Sequence, residues 1–142
     1  MHKPERRVLF MKKILAVILA AVLIFSFCGC GIPFTAEKII GESKIYSERD
    51  IEKAMNRVYS KFGRDFEGCV LLELEYDEEY SKARMYDWAD QYDADEAIIL
   101  LSKFYVAGEN GSLALGETYS KWNWILVRDF GGAWELMTWG YG

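Results

Sequence analysis

The chain has 142 residues, of which 51% are hydrophobic and 15% aromatic, so it holds enough apolar material for one packed domain. Residues 1–30 carry five basic and one acidic side chain, whereas the other 112 residues carry twelve basic and twenty-one acidic ones, a net charge of −9. Because so acidic a domain is repelled by polyanions, we expect no binding to nucleic acid.

Residues 1–30 are predicted to be a secretory signal peptide. Lys12 and Lys13 precede the sequence ILAVILAAVLIFSF, residues 14–27, in which Ser26 is the only polar residue. Fourteen helical residues span only about 21 Å, less than the roughly 30 Å of a bilayer core. A short apolar run after basic residues is typical of a signal peptide, and Met11 is an alternative start.

The signal peptide ends in two cysteines. Phe27-Cys28-Gly29-Cys30 resembles the lipobox of bacterial lipoproteins, with Gly29 as the small residue before the lipid acceptor Cys30. The resemblance implies that Cys30 carries lipid, palmitate included, and that the domain is anchored to the extracytoplasmic side of the cell membrane. The alternative is an uncleaved anchor extending to Phe34, which also places the domain outside because the positive residues come first.

Residues 31–46 are predicted to be a flexible spacer, and residues 47–142 the folded domain. Ser47 and Asp50 have the spacing of a capping box, which predicts the start of a helix, and Gly63 is placed to end it. Apolar residues recur at helical spacing along one side of this segment: Ile51, Ala54, Met55, Val58, Tyr59 and Phe62.

Four strands and a second helix are predicted after the first helix. In residues 69–76, alternation places Val70, Leu72, Leu74 and Tyr76 on a buried face and Glu73 and Glu75 on the opposite face. Residues 79–91 predict a weaker helix, residues 96–106 a central strand, and residues 119–129 and 133–141 a hairpin. This order predicts an α+β fold, an antiparallel sheet of about four strands covered on one face by one long and one shorter helix.

The sequence WNWILVRDFGGAWELMTWGY, residues 122–141, resembles the last hairpin of NTF2-like domains. The residues that carry the resemblance are Ile125, Val127, Gly132, Trp134, Leu136 and Trp139. The earlier segments 47–58, 65–79 and 91–102 are similar to uncharacterised small lipoproteins of Gram-positive bacteria. The resemblance implies a cone-shaped α+β fold with a curved sheet, and it implies no activity; a cystatin-like fold is the alternative.

Several kinds of chemistry are excluded by residue type. The only histidine is His2, in the segment predicted to be removed, which excludes histidine-based acid–base catalysis, Ser–His and Cys–His pairs, and His-ligated zinc. Cys69 is expected to be a small buried residue. The acidic residues between 73 and 96 lack the spacing of an EF-hand calcium loop, which needs Gly at its sixth position and Glu at its twelfth. We therefore expect them to form a solvated face, and a weak cation site is the alternative. No cofactor is expected.

Aromatic side chains are the candidate ligand-binding residues. Trp122 and Trp124 share one face of their strand, and Trp139 joins them if Arg128 pairs with Ala133. Tyr105 and Asn123 are the polar residues proposed to act with them. Aromatics on a sheet stack on sugars, peptides or flat apolar ligands. The alternative is that they fill the core.

Three functions remain open. The first is a non-catalytic extracytoplasmic module that binds an unknown envelope ligand or protein. The second is an NTF2-like isomerase or dehydratase, which needs a buried carboxylate beside a tyrosine; Glu73 and Glu75 are expected to be exposed instead. The third is a structural spacer or an inhibitor of an envelope protein.

Overall fold

A five-stranded mixed sheet is the centre of the structure, a computed structural model that describes residues 36–142. The predicted signal peptide and the lipid acceptor Cys30 lie outside these residues. The strands are β1 (Glu37–Ile40), β2 (Cys69–Tyr76), β3 (Glu96–Val106), β4 (Thr118–Arg128) and β5 (Glu135–Gly140). They lie side by side in chain order, β1 parallel to β2 and the other neighbours antiparallel, so the predicted central strand β3 is confirmed.

Three helices lie between the strands: α1 (Glu48–Asp65), α2 (Glu78–Lys82) and α3 (Met85–Gln91). The single shorter helix predicted over residues 79–91 is therefore two short helices, α2 and α3. The predicted start of α1 is confirmed, because the hydroxyl of Ser47 accepts a hydrogen bond from the backbone N–H of Asp50. The helix continues past Gly63 for two residues, so the predicted end is wrong. None of the helices within residues 36–142 is both long enough and apolar enough to span a bilayer.

The α+β class is confirmed, but the sheet has five strands instead of about four and is not purely antiparallel. The fifth strand is β1, which lies within the predicted flexible spacer and pairs Lys38 with Leu74. Four residues without clear alternation give almost no strand signal in the sequence. Pairing with β2 supplies the order, and α1 forms the crossover that two parallel neighbours require.

The turn between β1 and α1 is held by one carboxylate. An oxygen of Glu78 accepts hydrogen bonds from the Ser43 hydroxyl at 2.6 Å and from the backbone N–H groups of Lys44 and Ile45 at 2.8 and 3.2 Å. The bond from Ser43 is the main reason that the pKa of Glu78 lies below its ordinary value. Pairing with β2 and the contacts of Glu78 at the start of α2 together order the described part of the predicted spacer.

Helices cover both faces of the sheet, whereas the sequence predicted one covered face. Apolar residues of α1 such as Met55 and Val58 pack in one cluster with Ile98 and Leu126. On the opposite face, α3 packs against alternate strand positions; that cluster contains Ala89, Ala97 and Val127, with Met85, Trp88, Tyr92 and Ala94 against it. Strand β3 carries apolar side chains on both of its faces, since each face packs against a helix.

A bulge in β2 changes which residues reach the core. The pairing with β3 shifts between Leu71 and Glu73, so Leu71 lies opposite Phe104 in the core beside α1. Val70 lies opposite Tyr105 and faces away from α1, and Leu72 is the extra residue, so their predicted placement is wrong. Beyond the bulge, Leu74 and Tyr76 are buried as predicted. The inserted residue reverses which side chains face the core before the bulge and leaves those after it as predicted.

Candidate functional site

Trp124, one of the predicted binding residues, lies in the core. Its side chain is fully buried between the sheet and α1, with the rings of Phe62 and Phe66 at 6.3 and 5.3 Å. The indole N–H donates a hydrogen bond to the Ser102 hydroxyl at 2.8 Å. Trp124 therefore fills space, as the alternative interpretation of the aromatics held, and has no surface for a ligand.

Asn123 and Tyr105 lie on the sheet face opposite Trp122 and Trp124, although Asn123 lines the same opening as Trp139, described below. Asn123 is buried and accepts a hydrogen bond from the Tyr80 hydroxyl at 2.7 Å, while its amide donates to the carbonyl of Lys121. Tyr105 is exposed and pairs with Thr118 at the far end of β3. Successive residues of a strand point to opposite faces, so neither residue acts on the same ligand as Trp122.

Trp122 lies at the edge of the core beyond the end of α1. A bulge in β4, where Lys121 adopts a positive φ of 57°, brings Trp122 to the same face as Tyr119. Its ring meets Phe104 edge-on at 5.5 Å and Tyr141 at 5.1 Å. Trp122 is thus partly buried among aromatic neighbours.

Trp139 is the most exposed of the three predicted tryptophans. It pairs with Trp124 and not with Trp122: the register differs by one residue from the turn onward, where Val127 pairs with Glu135, and a bulge opposite Ile125 and Leu126 adds a second. The total shift is two residues, so Trp139 stays on the predicted face, with its ring 6.0 Å from that of Trp124. Its side chain is 38% exposed, and the Lys61 ammonium lies 4.5 Å from the ring centroid.

A groove runs beside Trp139, between α1 and β5. On the helix side it is lined by a row of basic residues at helical spacing, which we call the basic row: Lys53, Arg57, Lys61 and Arg64. Trp134, Leu136 and Trp139 form the strand side. Two adjoining cavities of about 520 and 540 Å³ make up this basic groove.

The charge of the basic groove is opposite to that of the domain. Lys61 is paired with Asp65, and Lys53 lies 3.7 Å from Asp50. No side chain among residues 36–142 forms an ion pair with Arg57 or Arg64, and Glu135 is the one acid among the described residues that line the two cavities. Like charges four residues apart on a helix destabilise it slightly. The row therefore favours an anion that approaches along α1.

A second opening lies on the other face of β5. This opening, which we call the α3 cleft, has a volume of about 380 Å³ and is open to solvent. Trp88 and Ile125 provide its apolar surface, and Arg84 and Asp87 its charges. Thr138 and Gly140 of β5 form its rim. Both faces of the last strand thus border open space.

Comparisons with known proteins leave the chain without an assigned family. No protein-family model matches it. Searches of curated proteins and of solved structures also return no match. The NTF2-like resemblance of the last hairpin therefore rests on the residues of this sequence alone.

The carboxylates of β2 lack the surroundings that an isomerase needs. Glu73 and Glu75 are partly exposed and form ion pairs with Lys103 at 3.3 Å and Lys121 at 3.4 Å. A catalytic base of this kind needs burial and a raised pKa beside a tyrosine. Outside β2, desolvation raises the pKa of Asp50, but the hydrogen bond and charge of Arg128, the charge of Lys53 and the hydrogen bond with Ser47 together hold it below its ordinary value.

Metal and thiol chemistry also lack the required groups in the described part of the chain. No group of three or more Cys, Asp or Glu side chains within residues 36–142 is placed to hold a metal ion. Cys69 is half-buried against the core, and burial raises the pKa of its thiol. A raised thiol pKa lowers the fraction of nucleophilic thiolate.

Proposed function

We propose that this protein is a membrane-anchored extracytoplasmic lipoprotein that acts as a non-catalytic binding module, and that its basic groove holds an anionic envelope component or protein. The carrying observation is the basic groove: its described lining holds the four cations of the basic row and one acid, Glu135, within a domain of net charge −9. Exposed Trp139 adds an aromatic surface to the same groove. Surfaces that combine Arg with aromatic rings are typical of binding interfaces.

The finer parts of this proposal come from the sequence. The lipobox-like residues before Cys30 support the anchor, and the basic residues before the apolar run support an extracytoplasmic domain. The NTF2-like cone is supported by the hairpin β4–β5 and its residues Ile125, Val127 and Trp134. A sheet with packed helices is compatible with that cone.

The anchor is tested by labelling cells that express the full chain with radioactive palmitate. We expect Cys30→Ser to abolish labelling and to release the protein from the membrane fraction, since a serine hydroxyl does not replace the acceptor thiol. Cys28→Ser is the matched control and should be labelled like the wild type. Labelling that persists in Cys30→Ser but disappears in Cys28→Ser would show that Cys28 is the lipid acceptor. If the wild type is not labelled, the chain carries no lipid anchor and the proposed lipoprotein is contradicted.

The groove is tested with a simple polyanion, inorganic polyphosphate, and the full chain in mild detergent. We expect the double variant Arg57→Gln/Arg64→Gln to bind about tenfold more weakly, since it removes two cations that have no ion-pair partner among residues 36–142. The matched control Arg49→Gln/Lys82→Gln removes the same charge from exposed positions that do not line the groove and should bind like the wild type. Equal affinities of the two double variants, or no binding at low salt, would contradict the proposal.

A further inference from the structure

Strand β5 ends the sheet with an unpaired edge. Within residues 36–142, no backbone group bonds to its outer side, and the opposite edge strand β1 has only four residues. Proteins normally protect such an edge with Lys, Pro or a covering segment. From Leu136 to Tyr141 the chain has no charged residue and no proline, and Met137, Trp139 and Tyr141 are exposed. This edge is therefore open to another strand.

The two faces of this edge differ in chemistry. A strand added beside β5 would project alternate side chains to opposite faces of the sheet. Those on the α1 side would meet the basic row, where Arg57 and Arg64 have no ion-pair partner in the described residues. Those on the opposite side would meet the α3 cleft, with Trp88 and Ile125 as its apolar surface. An extended peptide that alternates acidic and apolar residues satisfies both faces.

We propose that the β5 edge binds such an acidic, extended peptide segment of a partner protein as a sixth strand. The proposal rests on the function proposed above and names the class of partner that occupies the groove. Backbone hydrogen bonds to Glu135–Gly140 supply affinity, and the basic row and the α3 cleft supply selectivity. Carboxylates beside Arg57 and Arg64 form charge-assisted hydrogen bonds.

A second copy of this chain fits the edge less well. Antiparallel pairing of two β5 strands has its two-fold axis perpendicular to the sheet, so both α1 helices lie on the same face of the joined sheet. The two basic rows would then face each other across the new contact, and like charges repel. An acidic peptide brings the opposite charge to the same place.

The test uses a fluorescent, blocked nine-residue peptide of alternating glutamate and valine, titrated into the full chain in mild detergent. We expect saturable binding that weakens as salt is raised. N-methylation of alternate peptide residues keeps charge and side chains but removes backbone donors, and should weaken binding at least tenfold. Arg57→Gln/Arg64→Gln should weaken it about tenfold, and the control Arg49→Gln/Lys82→Gln should not. Amide exchange in residues 135–140 should slow on binding.

Other outcomes overturn the proposal in distinguishable ways. Equal affinity of the peptide and its N-methylated form overturns strand addition. No peptide binding while polyphosphate still binds through Arg57 and Arg64 overturns a peptide partner and leaves the anion-binding function in place. Failure of both probes overturns both. Binding of a lysine–valine peptide as tightly as the glutamate–valine peptide overturns the role of the basic row.

Discussion

Replacing Trp124 by alanine is expected to lower the free energy of unfolding by about 4 kcal/mol, as is typical for removing a fully buried aromatic side chain. The change opens a cavity between the sheet and α1, where Phe62 and Phe66 contact the indole. It also leaves the buried Ser102 hydroxyl without its donor. Urea denaturation of the full chain, followed by far-ultraviolet circular dichroism, measures the loss.

Trp139→Ala is the matched control on the neighbouring strand. The side chain is 38% exposed and its indole has no hydrogen bond within residues 36–142, so we expect a loss of only about 1 kcal/mol. Trp124→Phe keeps an aromatic ring and should fall between the two alanine variants. Equal losses for Trp124→Ala and Trp139→Ala would contradict the division between a core tryptophan and a surface one.

Sequence periodicity predicted the long elements because each has a face that a helix or strand must bury. Ser47 marked the start of α1, and the spacing from Ile51 to Phe62 marked its buried side. Tyr59 was assigned to that side but is 40% exposed at its margin. Strand β3 was recognisable because both of its faces are covered. These features depend on local spacing, which the sequence displays directly.

Bulges explain where the predicted faces were wrong. Because of an extra residue in β2, Leu71 and not Leu72 lies in the core. No residue type in that strand indicates a bulge. The hairpin register was off by two, which preserved the face of Trp139 but changed its partner. β1 was missed because four residues acquire their structure from β2, a contact remote in sequence.

The candidate site was only partly readable from the sequence. Alternation along β4 already separates Asn123 from Trp122 and Trp124, so that part of the predicted cluster was avoidable. The basic residues of α1 fall at sequence positions off its apolar stripe, which is the pattern of a solvated helix face. What the sequence does not display is that this face borders the last strand, since the position of β5 follows from the order of the whole sheet.

Arg128→Met is expected to lower the free energy of unfolding by roughly 2–3 kcal/mol, somewhat less than for a fully buried pair because its two acidic partners are partly hydrated. The guanidinium is 11% exposed and contacts Glu96 at 2.7 Å and Asp50 at 3.4 Å. It also lies 4.1 Å from the ring centroid of Trp134. Methionine keeps the aliphatic stem but leaves two carboxylates without their cation.

The ion pair between Arg128 and Asp50 makes the stability lost in Arg128→Met depend on pH. The pKa of Asp50 lies below its ordinary value of 3.8 when the protein is folded: desolvation raises it, but Arg128, with smaller contributions from Lys53 and Ser47, more than offsets that effect. A lowered carboxyl pKa stabilises the fold above the unfolded value, and that stabilisation disappears as the pH falls through the folded value. The difference between wild type and Arg128→Met should therefore be constant near neutral pH and shrink below about pH 4.

Two further variants separate charge from packing. Arg49→Met removes an exposed cation from the same end of α1 and should change the free energy of unfolding by at most about 0.5 kcal/mol. Asp50→Asn, added to Arg128→Met, removes one of the stranded carboxylates and should restore part of the loss at pH 7. The ion-pair explanation is contradicted if the loss is the same at pH 3 and pH 7 and Asp50→Asn restores none of it. Arg128 would then stabilise the fold through its contact with Trp134 and not through its ion pair with Asp50.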